Sequence, residues 1–215
     1  MTSSDPAPAL ILGTGVTALG VLRTLSRAGI PTFTRSTPPG IERRSRWYRA
    51  GPEPLGGSRP EPQSSSRAGT SGVATPLAEY LEAIPLERAV LMPCSDELVL
   101  AAASLSSELT SRFVSCIPPR SALEVLVDKG RFRDLLVANE VAHPATHLGN
   151  DTSQLETLLE TAGEPLFIKP RFSHELQAEL GVKGLRPENV KDFRAAMEAL
   201  ESRHIEFLIQ EYVPG

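Results

Sequence analysis

The sequence predicts an α/β protein in which a parallel-sheet domain is followed by a smaller α+β lobe. Two observations favour this fold. Within residues 1–120, short apolar segments alternate with helical segments four times, which is typical of parallel strands joined by crossover helices. From Ser121 onward the alternation stops, and amphipathic helices are interspersed with a few apolar segments. We therefore expect an α/β domain over 1–120 and a second lobe over 121–215.

The composition is that of an ordinary soluble protein. Hydrophobic residues make up 40% of the 215 residues, charged residues make up 22%, and the net charge is −4. This charge gives no reason to expect nucleic acid or an anionic membrane as a partner, and no apolar run approaches the ~20 residues of a membrane span. The two cysteines and four histidines lack the spacing of metal ligands. We expect a cytoplasmic protein with small-molecule partners.

A glycine-rich turn follows the first predicted strand, Ala9–Leu12. The spacing Gly13-x-Gly15-x-x-Ala18 satisfies the loose fingerprint of a dinucleotide-binding turn. Against that reading, the second strand ends at Thr34-Arg-Ser36 without an acid for a ribose hydroxyl, although an arginine there suits a 2′-phosphate. An NADP site and a purely structural role for the glycines both remain open.

The edge of the predicted sheet at which the strands have their carboxyl ends, here called the rim, carries other polar residues. Ser95 and Asp96 follow the third predicted strand, and either residue can cap the next helix, which is predicted to run to about Leu109 before a fourth strand over 113–117. Because ligands of parallel sheets bind beyond the carboxyl ends of the strands, we expect Gly13, Gly15, Ser95 and Asp96 to lie near a substrate. Residues 36–72 are rich in Pro, Gly, Ser and Arg, and we interpret them as either a mobile solvated loop or an anion-attracting rim.

Lysine is rare in this chain, which draws attention to Lys169. It ends a short apolar run, Leu166–Ile168, and Pro170 follows it. An ammonium at the end of a buried strand must reach either solvent or an anion. Downstream, 173–183 is predicted to be a hairpin tip or a surface loop, and helices are predicted over 154–161 and 187–200. A last half-buried strand is predicted over 205–213.

Three motifs in this order resemble the ATP-grasp superfamily of carboxylate–amine and carboxylate–thiol ligases. They are D-K-G-R-F at 128–132, L-F-I-K-P at 166–170 and I-Q-E-Y-V-P-G at 209–215. The glycine turn and M-P-C-S-D-E at 92–97 resemble the Rossmann-like domain that precedes the ATP-grasp fold. Within the superfamily, the sequence is most similar to enzymes related to D-aspartate ligase, and carbamoyl-phosphate synthase is more distant.

The resemblance implies a binding site for ATP. Lys129 and Lys169 match the two phosphate-binding lysines of the superfamily. Glu211, Tyr212 and Val213 match the hinge that receives adenine, with Glu211 accepting a hydrogen bond from the exocyclic amine. The hairpin over 173–183 would close over the phosphates, and the rim around Gly13 would lie near the acceptor substrate.

The resemblance also implies that part of the enzyme is missing from these 215 residues. Superfamily members have a second large lobe after the hinge, and that lobe carries the Mg²⁺ ligands. We therefore expect an N-terminal portion that is inactive alone and that needs its C-terminal lobe in cis or in trans. The complete enzyme would activate a carboxylate as an acylphosphate for attack by an amine. The alternatives are an NAD(P)-binding oxidoreductase fragment and a non-catalytic nucleotide-binding module.

Overall fold

The structure is a computed structural model that describes residues 6–36, 40–55, 71–149 and 166–213. The chain divides into two compact units, Met1–Arg120 and Ser121–Gly215. The helix predicted over 154–161 lies outside the described residues, as do 37–39 and 56–70 of the predicted loop. Within the described residues, no helix combines the length and the apolar character needed to cross a membrane.

The first unit contains the predicted parallel sheet, with strand order β2-β1-β3-β4. The fold-class prediction of an α/β unit is therefore confirmed. The strands are β1 Ala9–Leu12, β2 Thr32–Arg35, β3 Ala89–Pro93 and β4 Phe113–Val114. The helices are α1 Gly15–Arg27, α2 Ser71–Ala83, α3 Asp96–Ala102 and α4 Ser107–Arg112, and a 3-10 helix spans Ile41–Arg44.

Helices cover both faces of this sheet, as the fully apolar sequence of β1 requires. Leu10 and Leu12 pack in a core cluster with residues of α2, including Leu77. Ile11 points to the opposite face and packs with Ala18 and Leu22 of α1. Each β1 side chain is thus buried on one face or the other, and the start of α1 is fixed at the carboxyl end of β1.

Two predicted elements of the first unit differ from the structure. The helix expected to run from Ser95 to about Leu109 is two helices, because Ser106 starts a new one by accepting a hydrogen bond from the Leu109 N–H at 3.3 Å. At the break between the two helices, the Ser104 hydroxyl donates to the Leu100 carbonyl at 2.7 Å. Serine side chains often compete in this way with the backbone hydrogen bonds of a helix. The fourth strand is two residues long instead of five.

The second unit contains a three-stranded antiparallel sheet with strand order β5-β7-β6. The predicted small α+β lobe is confirmed by this sheet and its helices. The strands are β5 Thr146–Leu148, β6 Leu166–Pro170 and β7 Phe207–Glu211. The helices are α5 Arg120–Val127, α6 Lys129–Ala138, α7 Ser173–Leu180 and α8 Val190–Glu201. Apolar residues of α8 (Phe193, Met197, Leu200) pack in one core cluster with Ile168 and Ile209 of the sheet.

The hairpin predicted over 173–183 is wrong, because Ser173–Leu180 forms α7. Its sequence contains strong helix formers and no glycine before Gly181. Gly181 ends the helix with φ +70°, a left-handed conformation that suits glycine. The chain then returns to β6, where Leu185 and Ile168 exchange two backbone hydrogen bonds of 2.8 and 2.9 Å.

Candidate functional site

The sheet of the second unit has a face that the α8 core does not use. Directly paired residues of antiparallel strands point to the same face. Ile168 pairs with Ile209, and both belong to the core cluster. The intervening pairs, Phe167 with Gln210 and Lys169 with Leu208, therefore point to the opposite face, which we call the Lys169 face.

A chain of polar contacts crosses the Lys169 face. The Lys169 ammonium donates to Gln210 Oε1 at 2.7 Å, and Gln210 Nε2 donates to Thr146 Oγ1 at 2.9 Å. Thr146 in turn donates to the Pro144 carbonyl at 2.7 Å. The ammonium is thus held by a neutral amide, which leaves its positive charge uncompensated by that contact. All three side chains are partly exposed, so the face is accessible to a ligand.

One aromatic ring lies beside the Lys169 ammonium, and a second is stacked with an arginine. The Lys169 nitrogen lies 5.4 Å from the ring centroid of Phe167, and the Arg186 guanidinium lies 3.9 Å from the ring centroid of Tyr212. Gly184 lies against Phe167, where a Cβ would come within 2.5 Å of the ring. The return segment after α7 therefore approaches the ring closely because residue 184 has no side chain.

Lys129 lies near the end of β6, where it contacts the residues that follow the strand. It is the first residue of α6, and its backbone N–H donates to the Arg171 carbonyl at 3.2 Å, two residues after Lys169. Its ammonium donates to Ser173 Oγ at 2.9 Å. The structure therefore brings the two predicted phosphate-binding lysines to the same end of one strand.

A buried ion pair holds the start of α6 to the end of β6. Asp128, 4% exposed, caps α6 by accepting from the Gly130 and Arg131 N–H groups at 2.9 and 3.2 Å. Both of its carboxylate oxygens also accept hydrogen bonds from Arg171, at 2.8 and 2.9 Å. Burial by itself raises the pKa of Asp128, but the bonds from Arg171 and the helix N–H groups outweigh it and hold that pKa below its ordinary value.

The predicted adenine-binding residues lie at the other end of the face. Glu211 pairs with Leu166 and so points away from the Lys169 face, and its carboxylate accepts from the Ala145 N–H at 3.2 Å. Tyr212 is partly buried beneath Arg186, and Val213 is 59% exposed. The amide on the Lys169 face belongs to Gln210, which the sequence analysis did not single out.

In the first unit, the predicted substrate rim contains a residue that sequence reasoning missed. Glu42, 0% exposed, comes from the 3-10 helix and enters the glycine turn. Its carboxylate accepts from the Gly15 N–H at 2.9 Å, the Gly40 N–H at 2.7 Å and the Thr14 hydroxyl at 3.2 Å. Thr14 and Gly15 stand at the start of α1, where a dinucleotide fold offers its donors to a phosphate. Here the chain supplies its own anion.

This contact bears directly on the NADP interpretation. A diphosphate on the glycine turn would have to displace Glu42 and leave its charge without those three donors. Burial raises the pKa of Glu42, and the hydrogen bonds from Gly40 and Gly15 lower it further than burial raises it, so the carboxylate is held as an anion. The observed geometry therefore favours a structural role for the glycine turn over a dinucleotide site.

The other rim residues have simple local roles in the structure. Gly13 and Gly15 adopt φ values of +118° and +87°, which favour glycine. Ser95 caps α3 by accepting from the Leu98 N–H at 3.4 Å, and Asp96 is the first residue of that helix. A Cβ at Gly13 would lie 3.3 Å from the Cys94 side chain. The segment that follows β1 and the segment that follows β3 therefore meet at this rim. In the described part of the chain, no three His, Cys, Asp or Glu residues are grouped to hold a metal ion.

Comparisons with known proteins identify the fold. No protein-family model and no curated protein matches the chain. The L-amino acid ligase from Bacillus licheniformis matches with a TM-score of 0.57 at 13% identity, over 99% of this chain and 46% of that enzyme. The carboxyaminoimidazole ribonucleotide synthase from Aspergillus clavatus, solved with ATP, matches with a TM-score of 0.55 at 14% identity. The match covers 96% of this chain and 47% of that enzyme. A RimK domain ATP-grasp protein from Sphaerobacter thermophilus DSM 20745 matches with a TM-score of 0.51 at 12% identity. The match covers 97% of this chain and 65% of that protein.

The chain has the ATP-grasp fold. The predicted resemblance to ATP-grasp ligases is therefore confirmed for the fold, and at these identities the comparison extends no further than the fold. The chain spans about half the length of the ligase and the synthase that it matches.

Within the ATP-grasp fold, three residues of interest escaped sequence reasoning. Glu42, Arg171 and Gln210 all act through partners that are distant in the sequence, by 27, 43 and 41 residues. Only Asp128 carried a local signal, since an Asp immediately before a helix favours an N-cap. The sequence analysis treated it as part of a motif and did not recognise its buried pairing with Arg171.

Proposed function

We propose that this chain is the ATP-binding portion of an ATP-grasp carboxylate–amine ligase, and that ATP binds on the Lys169 face. The observation that carries the proposal is the meeting of Lys129 and Lys169 at one end of β6 in a chain with the ATP-grasp fold. One solved structure with this fold is a complex with ATP. The donors of the Lys169 face and of the start of α6 fit a nucleoside triphosphate.

The two ammonium groups suit the phosphates. Each is a compact, strongly hydrated charge with three donors, and each donates to a neutral oxygen atom that a phosphate oxygen can replace or join. Lys129 is also the first residue of α6, where the helix dipole adds partial positive charge. The roles of these groups are to bind and orient the phosphates.

The opposite end of the face suits a base. Phe167, Tyr212 and the Arg186 guanidinium offer flat surfaces on which an adenine ring can stack. Gln210 lies on the same face and orients the Lys169 ammonium through their hydrogen bond. Main-chain groups of 211–213 would contact the ring edge.

When bound, ATP supplies the phosphoryl group that converts a carboxylate into an acylphosphate open to attack by an amine. The Mg²⁺ ligands would come from residues other than the described ones, in cis or in trans, as the sequence analysis expects for the C-terminal lobe. We expect small-molecule carboxylate and amine substrates and a cytoplasmic location. A non-catalytic nucleotide-binding module would share the ATP site but not the reaction.

We expect Lys129→Ala and Lys169→Ala each to weaken binding of MgATP by roughly 10-fold or more, because each removes one charge-assisted phosphate contact of about 1.5–3 kcal/mol. Isothermal titration calorimetry with a non-hydrolysable ATP analogue measures this. Lys191→Ala is the matched control, since Lys191 is an exposed lysine on α8 and should bind like wild type. Unchanged affinity in the Lys129→Ala/Lys169→Ala double variant would contradict the site.

A further inference from the structure

An open cavity of about 470 Å³ lies in the first unit, between the C-terminal half of α1 and the end of the 3-10 helix with the residues that follow it. Its volume is in the range of small-molecule sites. Four arginines, one serine and one tryptophan line it, and no carboxylate does: Arg23, Arg27, Arg44, Ser45, Arg46 and Trp47. We call this the arginine cavity.

Trp47 fixes the position of two of these arginines. Its indole packs against the core cluster of Ile11, Ala18 and Leu22, so it is anchored to α1 and β1. The guanidinium carbons of Arg46 and Arg27 lie 4.2 and 5.5 Å from the indole ring centroid. Stacking on an anchored ring restricts side chains that are otherwise mobile, which lowers the entropy lost when they bind a ligand.

The positive charge of the arginine cavity is not neutralised by the part of the chain that the structure describes. None of the four arginines forms an ion pair with a described carboxylate. The helix α1 contains no Asp or Glu. Glu42, the acid nearest in sequence to Arg44 and Arg46, is buried in the glycine turn by its own hydrogen bonds. Four guanidinium groups therefore line one cavity without a counter-ion from the described residues.

We infer that the arginine cavity binds a small polyphosphate anion, with the diphosphate group as the unit recognised. A guanidinium presents paired N–H donors that match two phosphate oxygens, so four guanidiniums suit two adjacent phosphoryl groups. The Ser45 hydroxyl adds a neutral donor. None of the lining residues belongs to the substrate rim, and Arg27 lies about 18 Å along the helix axis from Gly15, because α1 has 13 residues. The arginine cavity shares no residue with the proposed ATP site, which belongs to the second unit.

The only tryptophan of the chain lies inside this cavity, so its fluorescence reports binding there. Titration of the full chain with inorganic pyrophosphate at constant ionic strength should change Trp47 emission with a saturating curve. The Arg23→Gln/Arg44→Gln double variant should weaken the apparent affinity at least 10-fold, and it leaves untouched the two arginines that stack on the reporter. Arg43→Gln, an exposed neighbour that does not line the cavity, should bind pyrophosphate like wild type.

Several outcomes would overturn the inference. They are an equal response to sodium chloride at the same ionic strength, an unchanged midpoint in the double variant, or equal weakening by Arg43→Gln. A single-stranded oligonucleotide that binds 10-fold more tightly than pyrophosphate would assign the patch to nucleic acid instead. Repeating the titration in the Lys129→Ala/Lys169→Ala variant separates the two sites: the Trp47 response should persist there whether or not the proposed ATP site is correct.

Discussion

Replacing Asp128 with asparagine should lower the free energy of unfolding of the second unit by about 2 kcal/mol. Removing one partner of a fully buried ion pair costs about 3–5 kcal/mol, and a loss below that range is expected here because 33% of the Arg171 side chain is exposed. Asparagine retains an oxygen that can cap α6, so the loss measures mainly the two bonds to Arg171. Hydrogen exchange of peptides covering β6 and α6 should show the destabilisation.

The matched control for this change is Asp134→Asn. Asp134 lies on the same helix and pairs with Arg133 at 3.0 Å, but 67% of its side chain is exposed. A surface pair of this kind contributes roughly 0–1 kcal/mol, so exchange of the same peptides should hardly change. If both variants exchange alike, Asp128 is only a cap and the two lysines are positioned by other contacts.

Glu42→Gln should lower the free energy of unfolding of the first unit by about 2–3 kcal/mol at neutral pH. The Gly15 and Gly40 N–H groups and the Thr14 hydroxyl would lose a charged acceptor in a site without solvent access. Urea unfolding followed by Trp47 fluorescence measures this unit, because the chain has no other tryptophan. Glu53→Gln changes an exposed glutamate of the same unit and should stay within about 0.5 kcal/mol of wild type.

The stabilisation by Glu42 should depend on pH in a defined direction. The pKa of Glu42 is lower in the folded protein than in the unfolded chain, where a glutamate has a pKa of about 4.3. The stabilising contribution is therefore complete above that value and is lost as pH falls through the folded pKa. The difference between wild type and Glu42→Gln should be constant from pH 6 to 8 and shrink below about pH 4. A difference that grows on acidification would contradict the proposed hydrogen bonding.

Local patterns predicted the strands and the parallel sheet. Each strand is a short run of apolar residues, and the apolar side chains of such a run are enough to predict that the strand is buried. Ala9–Leu12 forms β1 as expected, and Leu166–Ile168 leads into Lys169 within β6. The same kind of reasoning failed over 173–183. There the resemblance favoured a hairpin, while the helix-forming sequence before Gly181 decided the outcome.

The candidate site was predicted only in part, for a physical reason. A strand-end lysine is visible in the sequence because its charge contrasts with its apolar neighbours. The partner that restrains it is not, since Gln210 reaches Lys169 through a strand pairing that spans 41 residues. Glu42 is hidden in the same way: in an arginine-rich segment it appears to be one surface charge among many, and only the fold brings it to Gly15.

The two backbone bonds between Leu185 and Ile168 cover part of a sheet edge that another chain could otherwise pair with. β6 is an edge strand, and an edge with unpaired N–H and C=O groups is a template on which another chain can add a strand. Here the segment after Gly181 occupies the middle of that edge from within the same molecule. A foreign strand must first displace this segment before it can pair there. Shortening the connection between α7 and α8 would therefore be expected to promote fibril formation even if the core of the unit stayed intact.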